Sequence, residues 1–184
     1  LNKDNNVIEN SSNIPRYPTN SEDSTFDASV WGSYSRDSCC AVSANASVLT
    51  AFTGNTVYPK DILKIQNGDP NSQWTAIASK YGIKCDANKT YSTVAVDEAL
   101  ERYLKQPEKY SAPIIGAGYL KNVDGKITPT PHFVVVTGKN PDGSYNIIDS
   151  AVNAQTYTWG DGGNTKLQAD GFVGELWSLA QYSK

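Results

Sequence analysis

The chain has 184 residues, enough for one domain with a hydrophobic core, since single domains usually run to about 100 to 200 residues. Its 16 basic and 19 acidic residues give a net charge of −3, which leaves no basic footprint for nucleic acid or anionic lipid. No apolar run approaches the roughly 18 residues of a membrane span, and one histidine with three cysteines allows no zinc set at ligand spacing, so neither a membrane span nor a metal or other cofactor is expected.

Residues 1–28 are rich in Asn, Ser and Asp and carry two prolines, which predicts a flexible or surface-hugging N-terminal arm ahead of a domain at 29–184. The arm reads as a linker; the alternative is a pro-segment lying across a groove. After the turn-forming WGSYSRDSC comes a small-residue, apolar helix that starts at Cys40, with Ser38 as its expected cap and Gly54 closing it. A second helix opens at Pro59 and stops at Asn67-Gly68, and SQWTAIASKYGI gives a third. Residues 93–105 place Val96, Leu100 and Leu104 on one stripe of a fourth.

From there the period changes to two. SAPIIGAGYL, PHFVVVTGK and GSYNIIDSA read as strands, with PDG turning between the last two. AQTYTWG and GFVGELWSLAQYS supply later strands and a short final element. Helices first and an antiparallel sheet second make an α+β fold with the Cys40 helix facing the sheet. Abundant Asn, Ser, Thr and Tyr with no Met suggest an exported bacterial protein, secreted or at the cell surface, and the initial Leu1 suggests that an upstream piece was removed. An odd cysteine count in such a protein flags a reactive thiol.

A cysteine attacks as the thiolate, and a free thiol with pKa about 8.5 needs a helix N-terminus or an imidazolium to reach that state at neutral pH. Cys40 stands where the unpaired N–H groups of a helix start stabilise negative charge and can also receive an oxyanion. Cys39 and Cys40 as buried small hydrophobes, or as half of a disulfide, is the structural alternative. His132, the single histidine, opens the strand HFVVV at the rim of the sheet. Asp149 ends YNIID 17 residues later, so a hairpin brings the two side by side, the geometry of an imidazole oriented by a carboxylate. Trp74, Trp159 and Trp177 read as core or groove-lining aromatics, the acidic residues of 97–108 as a solvated face, and NAS at 45–47 as a meaningless glycosylation pattern inside a helix.

CAVSANASVLTAFTGNTVYPKDI and PHFVVVTGKNPDGSYNIIDSA together resemble the papain-like cysteine peptidases of the bacteriocin-processing (double-glycine leader peptidase-like) type, over about residues 31–155. The resemblance implies a helical lobe whose nucleophile helix packs on an antiparallel sheet, with Cys40 as nucleophile, His132 as base and Asp149 orienting it. It also implies a peptide or protein substrate cut at a peptide or isopeptide bond. Alternatives on the same fold are a glutamine deamidase or transglutaminase-like toxin and an inactive binding module. Two positions depart from the pattern. Ala41 stands where the family has Gly, and a shift of one residue would make Cys39 the nucleophile. No Gln precedes Gln66, so the oxyanion donor would be Tyr34, Ser35 or a backbone amide.

Overall fold

A computed structural model of the chain describes residues 8–10, 13–71, 73–90, 92–123, 126–141, 143–151, 163–168 and 176–184. Its elements run in the order β1 (Ile8–Glu9), a 3-10 turn at Ala28–Val30, α1 (Cys40–Thr53), α2 (Pro59–Ile65), α3 (Trp74–Lys80), β2 (Lys84–Lys89), α4 (Thr93–Lys105), β3 (Ile114–Val123), β4 (Lys126–Lys139), β5 (Ser144–Asp149), β6 (Gly163–Gln168) and β7 (Leu176–Ser183). The strands form one antiparallel sheet in the order β2-β7-β3-β4-β5-β6, and β1 lies along the end of β4. The α+β division expected from the sequence therefore holds in outline. No helix among the described residues is long and apolar enough to cross a membrane.

α1 is the central helix. Ala41 through Leu49 are all buried, so it has no solvent face, as expected of a helix made of small and apolar residues throughout. Its buried polar groups are paired: Ser43 Oγ donates to Tyr17 O at 2.6 Å, Asn45 Nδ2 to Ala41 O at 2.9 Å, and Tyr182 Oη to Asn45 Oδ1 at 2.5 Å. Asn45, fully buried, is no glycosylation site. Gly54 ends the helix at φ +75°, in the left-handed region that favours glycine. α4 covers the expected 93–105 and buries Val96 and Leu100, and Lys139 ties it to the sheet through a 2.9 Å ion pair with Asp97.

Several expectations need correcting. Ser38 does not cap α1: the N-cap is Cys39, no side chain caps the helix, and Ser38 turns the chain at φ +60°. The first half is not purely helical, because β2 pairs with β7 between α3 and α4. KCDANK is polar and mostly exposed, the pattern of an edge strand that carries no alternating apolar signal. β4 begins at Lys126 rather than at Pro131, so His132 lies in mid-strand. Prolines are tolerated there because, among the described residues, 126–134 of β4 pair with β3 alone, an edge setting that needs no donor on the other side. The strand expected at AQTYTWG, with Trp159, lies outside the described residues.

The N-terminal arm lies against this body in its described part. Tyr17 joins the hydrophobic core, and the fully buried Trp31 donates from Nε1 to Pro18 O at 3.0 Å.

Candidate active site

Cys40 is the first residue of α1, and its neighbours on the sheet follow from strand register. Val135 pairs with Ile148, so Val134 would face Asp149 and His132 lies two residues further along the same face of β4. Diagonal neighbours on one face of an antiparallel pair are within reach of long side chains. His132 Nε2 and Asp149 Oδ1 meet at 2.5 Å, both groups buried. With Nε2 on Asp149, Nδ1 is left for the Cys40 thiol, to which His132 is hydrogen-bonded. Asp149 Oδ1 also accepts the Ala151 N–H at 2.8 Å, a local turn that fixes where the carboxylate points.

The electrostatics of the three groups reinforce one another. Burial opposes charge on His132, but the Asp149 carboxylate and the bonds to Asp149 and Cys40 outweigh it and push the imidazole up to about 10. Burial likewise raises the Cys40 thiol, yet the hydrogen bond and charge of His132, with the backbone N–H groups of Phe133 and Ala41, bring it below its ordinary value. The pair thus favours thiolate and imidazolium together. The uncapped start of α1 adds amides and the positive end of the helix dipole on the sulfur's side.

The other two thiols are of a different kind. Cys39 is 2% exposed, points to Ser35 O at 3.4 Å and Asp37 O at 3.5 Å, and is pushed up to about 11 by burial and the neighbouring Cys40 and Asp37. Cys85, on β2, is pushed up to about 12 by burial and Asp86. All three cysteines are free, so neither Cys39 nor Cys40 is half of a disulfide. Cys39→Ser should accordingly retain activity and thiol labelling within about threefold of the parent, because serine can donate to the same two carbonyls and touches no reacting atom. A loss comparable to that of Cys40 would shift the nucleophile by one residue.

An open cleft runs past Cys40, bordered by Thr19, Arg36, Asn71, Trp74, Phe133 and Trp177. Phe133 stacks edge-on against both Trp74, at 6.0 Å between ring centres, and Trp177, at 5.1 Å, so these groove-lining aromatics form one apolar wall. Gly116 lies beneath it. A Cβ there would overlap Ser178 Oγ and come within 2.9 Å of Trp177 Cζ2 and 3.0 Å of Phe133 Cε1, so any larger residue must displace Ser178 as well as the two rings. Tyr34 and Ser35 do not border the Cys40 cleft; they line an adjoining polar one with Asn20, Arg36 and Asp37, and Ser35 Oγ accepts the Asp37 N–H at 3.3 Å. The backbone amides at the start of α1 are the nearer oxyanion donors. Sequence reasoning missed Thr19, Arg36 and Asn71 at the cleft, because loop residues carry no periodicity that assigns them a face.

No family model matches the sequence, and no curated protein matches it either. Among solved structures, the chain is similar to the crystal structure of UfSP from C. elegans, with a TM-score of 0.50 and 12% identity. The likeness covers 100% of this chain and 35% of that one, so this chain spans about a third of its solved relative's length. It does not single out the bacteriocin-processing type. At that identity the likeness is one of fold, and it supports, broadly, a papain-like α+β arrangement of helices on an antiparallel sheet.

Proposed function

We propose that the chain is a thiol hydrolase that cleaves a peptide or isopeptide bond through Cys40, His132 and Asp149. The single observation that carries this reading is the chain of contacts from the Cys40 thiol through the imidazole to the Asp149 carboxylate, 2.5 Å from His132 Nε2, at the uncapped start of a buried helix. In the resting pair the proton sits on His132 and the thiolate attacks the substrate carbonyl carbon. The oxyanion develops against the amides at the start of α1. His132 then gives its proton to the leaving amine, and a thioester remains on Cys40. Water attacks the thioester as His132 takes one of its protons, which releases a carboxylic acid and restores the thiolate–imidazolium pair.

The aromatic wall of Trp74, Phe133 and Trp177 suits an apolar side chain or an extended backbone next to the scissile bond. Gly116→Ala should displace that wall and raise KM about threefold to tenfold while kcat and Cys40 labelling stay near the parent values, the pattern of lost binding common to ground and transition states. The narrower resemblance to bacteriocin-processing peptidases rests on the motif residues alone.

A panel of peptide, isopeptide and glutamine substrates, run beside Cys40→Ala, tests the reading. Amine release together with a thioester trapped on Cys40 is expected from the first two. Ammonia release from glutamine alone would make the chain a deamidase, and substrate binding with no acyl-enzyme would make it an inactive binding module.

A further inference from the structure

The N-terminal arm grips three successive carbonyls at the end of β5. Arg16 donates from Nε to Asp149 O at 2.6 Å and from Nη2 to Ala151 O at 3.0 Å, and the Thr19 amide donates to Ser150 O at 3.2 Å. These are the carbonyls of the turn whose Ala151 N–H holds Asp149 Oδ1, the atom that meets His132. The guanidinium is itself braced: Asp23 Oδ2 accepts from Nη2 at 2.7 Å and Thr25 Oγ1 from Nη1 at 3.2 Å. That bond to Arg16 holds the Asp23 carboxyl down at about 2. On its other side the arm is fastened to α1, where Ser43 Oγ donates to Tyr17 O. Residues 16–19 thus bridge the helix that carries Cys40 and the turn that carries Asp149.

We propose that Arg16 is a positioning residue of the triad: braced by Asp23, its guanidinium clamps the Asp149–Ala151 turn so that the carboxylate stays on His132. The inference rests on the thiol-hydrolase reading above, and it gives the arm a role that neither a linker nor a removable pro-segment would have. Arg16 bonds to backbone oxygens, so a planar fork reaching two carbonyls while pairing with a carboxylate is what the site requires. A lysine ammonium keeps the charge but cannot reproduce that spread. Among the described residues, the charged groups seen to act on His132 are Asp149 from the end of β5 and Cys40 from α1, and Asp23 faces Arg16.

The test is the pH dependence of iodoacetamide alkylation at Cys40, located by mass spectrometry, for the full chain and for Arg16→Ala, Arg16→Lys and Asp23→Asn, with thermal unfolding of each. In the parent the alkylation midpoint should lie well below the 8.5 or so of a free thiol. Loosening Asp149 destabilises the imidazolium and hence the thiolate, so Arg16→Ala should raise the midpoint by about one pH unit, a tenfold fall in thiolate below it. Arg16→Lys should resemble Arg16→Ala, and Asp23→Asn should shift less in the same direction. On a cleavable substrate, kcat should fall with KM little changed.

A lysine variant with the parent midpoint would mean that only the charge matters, and lowered unfolding temperatures with unmoved midpoints would mean a structural strap. Either result overturns the inference. Should Arg16→Ala fail to fold, the two milder variants decide the matter by the same readout. A parent midpoint at or above 8.5 or so would overturn the hydrolase reading and this inference with it, whereas unshifted variants on a depressed parent overturn the inference alone.

Discussion

Cys40→Ala should abolish hydrolysis, with kcat/KM down by at least about 1000-fold, because no other group can form the thioester and removal of a nucleophile costs as much or more in comparable hydrolases. Neither remaining thiol can substitute: Cys39 and Cys85 are held at about 11 and 12 and stay protonated at neutral pH. The fold should survive. The change removes one half-buried sulfur at the first residue of a helix, so the unfolding temperature should stay within a few degrees of the parent. Steady-state kinetics and a thermal melt on the same sample check both halves. Activity within about tenfold of the parent would remove Cys40 from the chemistry.

Asp149→Ala should come next, lowering kcat/KM by about 100-fold or more, since removal of the orienting carboxylate in a comparable triad costs about 10000-fold. Asp149→Asn keeps an oxygen that can accept the imidazole N–H, the arrangement of Cys-His-Asn sites, and should cost much less than the alanine change, roughly tenfold. The pH dependence follows from the sign of each shift. His132 is raised, so its imidazolium persists until pH rises through its elevated value near 10; Cys40 is lowered, so its thiolate forms below the ordinary thiol range. The parent rate should therefore rise on an acidic limb set by the cysteine and fall on a basic limb set by the histidine, with the pair titrating as a unit. Either Asp149 change removes the negative charge that stabilises the imidazolium, so the basic limb should move to lower pH. A basic limb that stays in place would show that Asp149 only ends a strand.

How much of this was legible in the sequence differs by element. α1 and α4 announced themselves through apolar patterning and a terminal glycine or charged outer face, and the hairpin between β4 and β5 through PDG flanked by β-branched runs. That hairpin also made the nearness of His132 and Asp149 readable, but not their shared face: the register set at the turn slips by one residue at a bulge between Val136 and Gly138, and only that slip puts both side chains on one face. β2 was not readable: an exposed edge strand such as KCDANK buries too little to show a period. The start of β4 was hidden by Pro129 and Pro131, which mark a strand boundary in most settings and are tolerated here on an edge. Tyr34 and Ser35 were chosen by proximity in sequence to Cys40, and the turn at Ser38 sends them to the adjoining cleft. Arg16 lay furthest from view. Its partners on the turn are 133 and 135 residues away and are backbone oxygens, which leave no mark of their own in a sequence.

Whether His132 holds Cys40 as a thiolate is read from the pH dependence of alkylation at Cys40 in the parent chain and in His132→Gln. The parent should show one rapidly labelled site, at Cys40, with a midpoint well below about 8.5, and His132→Gln should return the midpoint to that value or above it. A parent midpoint at or above it, or one that His132→Gln leaves unchanged, would mean that His132 does not activate Cys40.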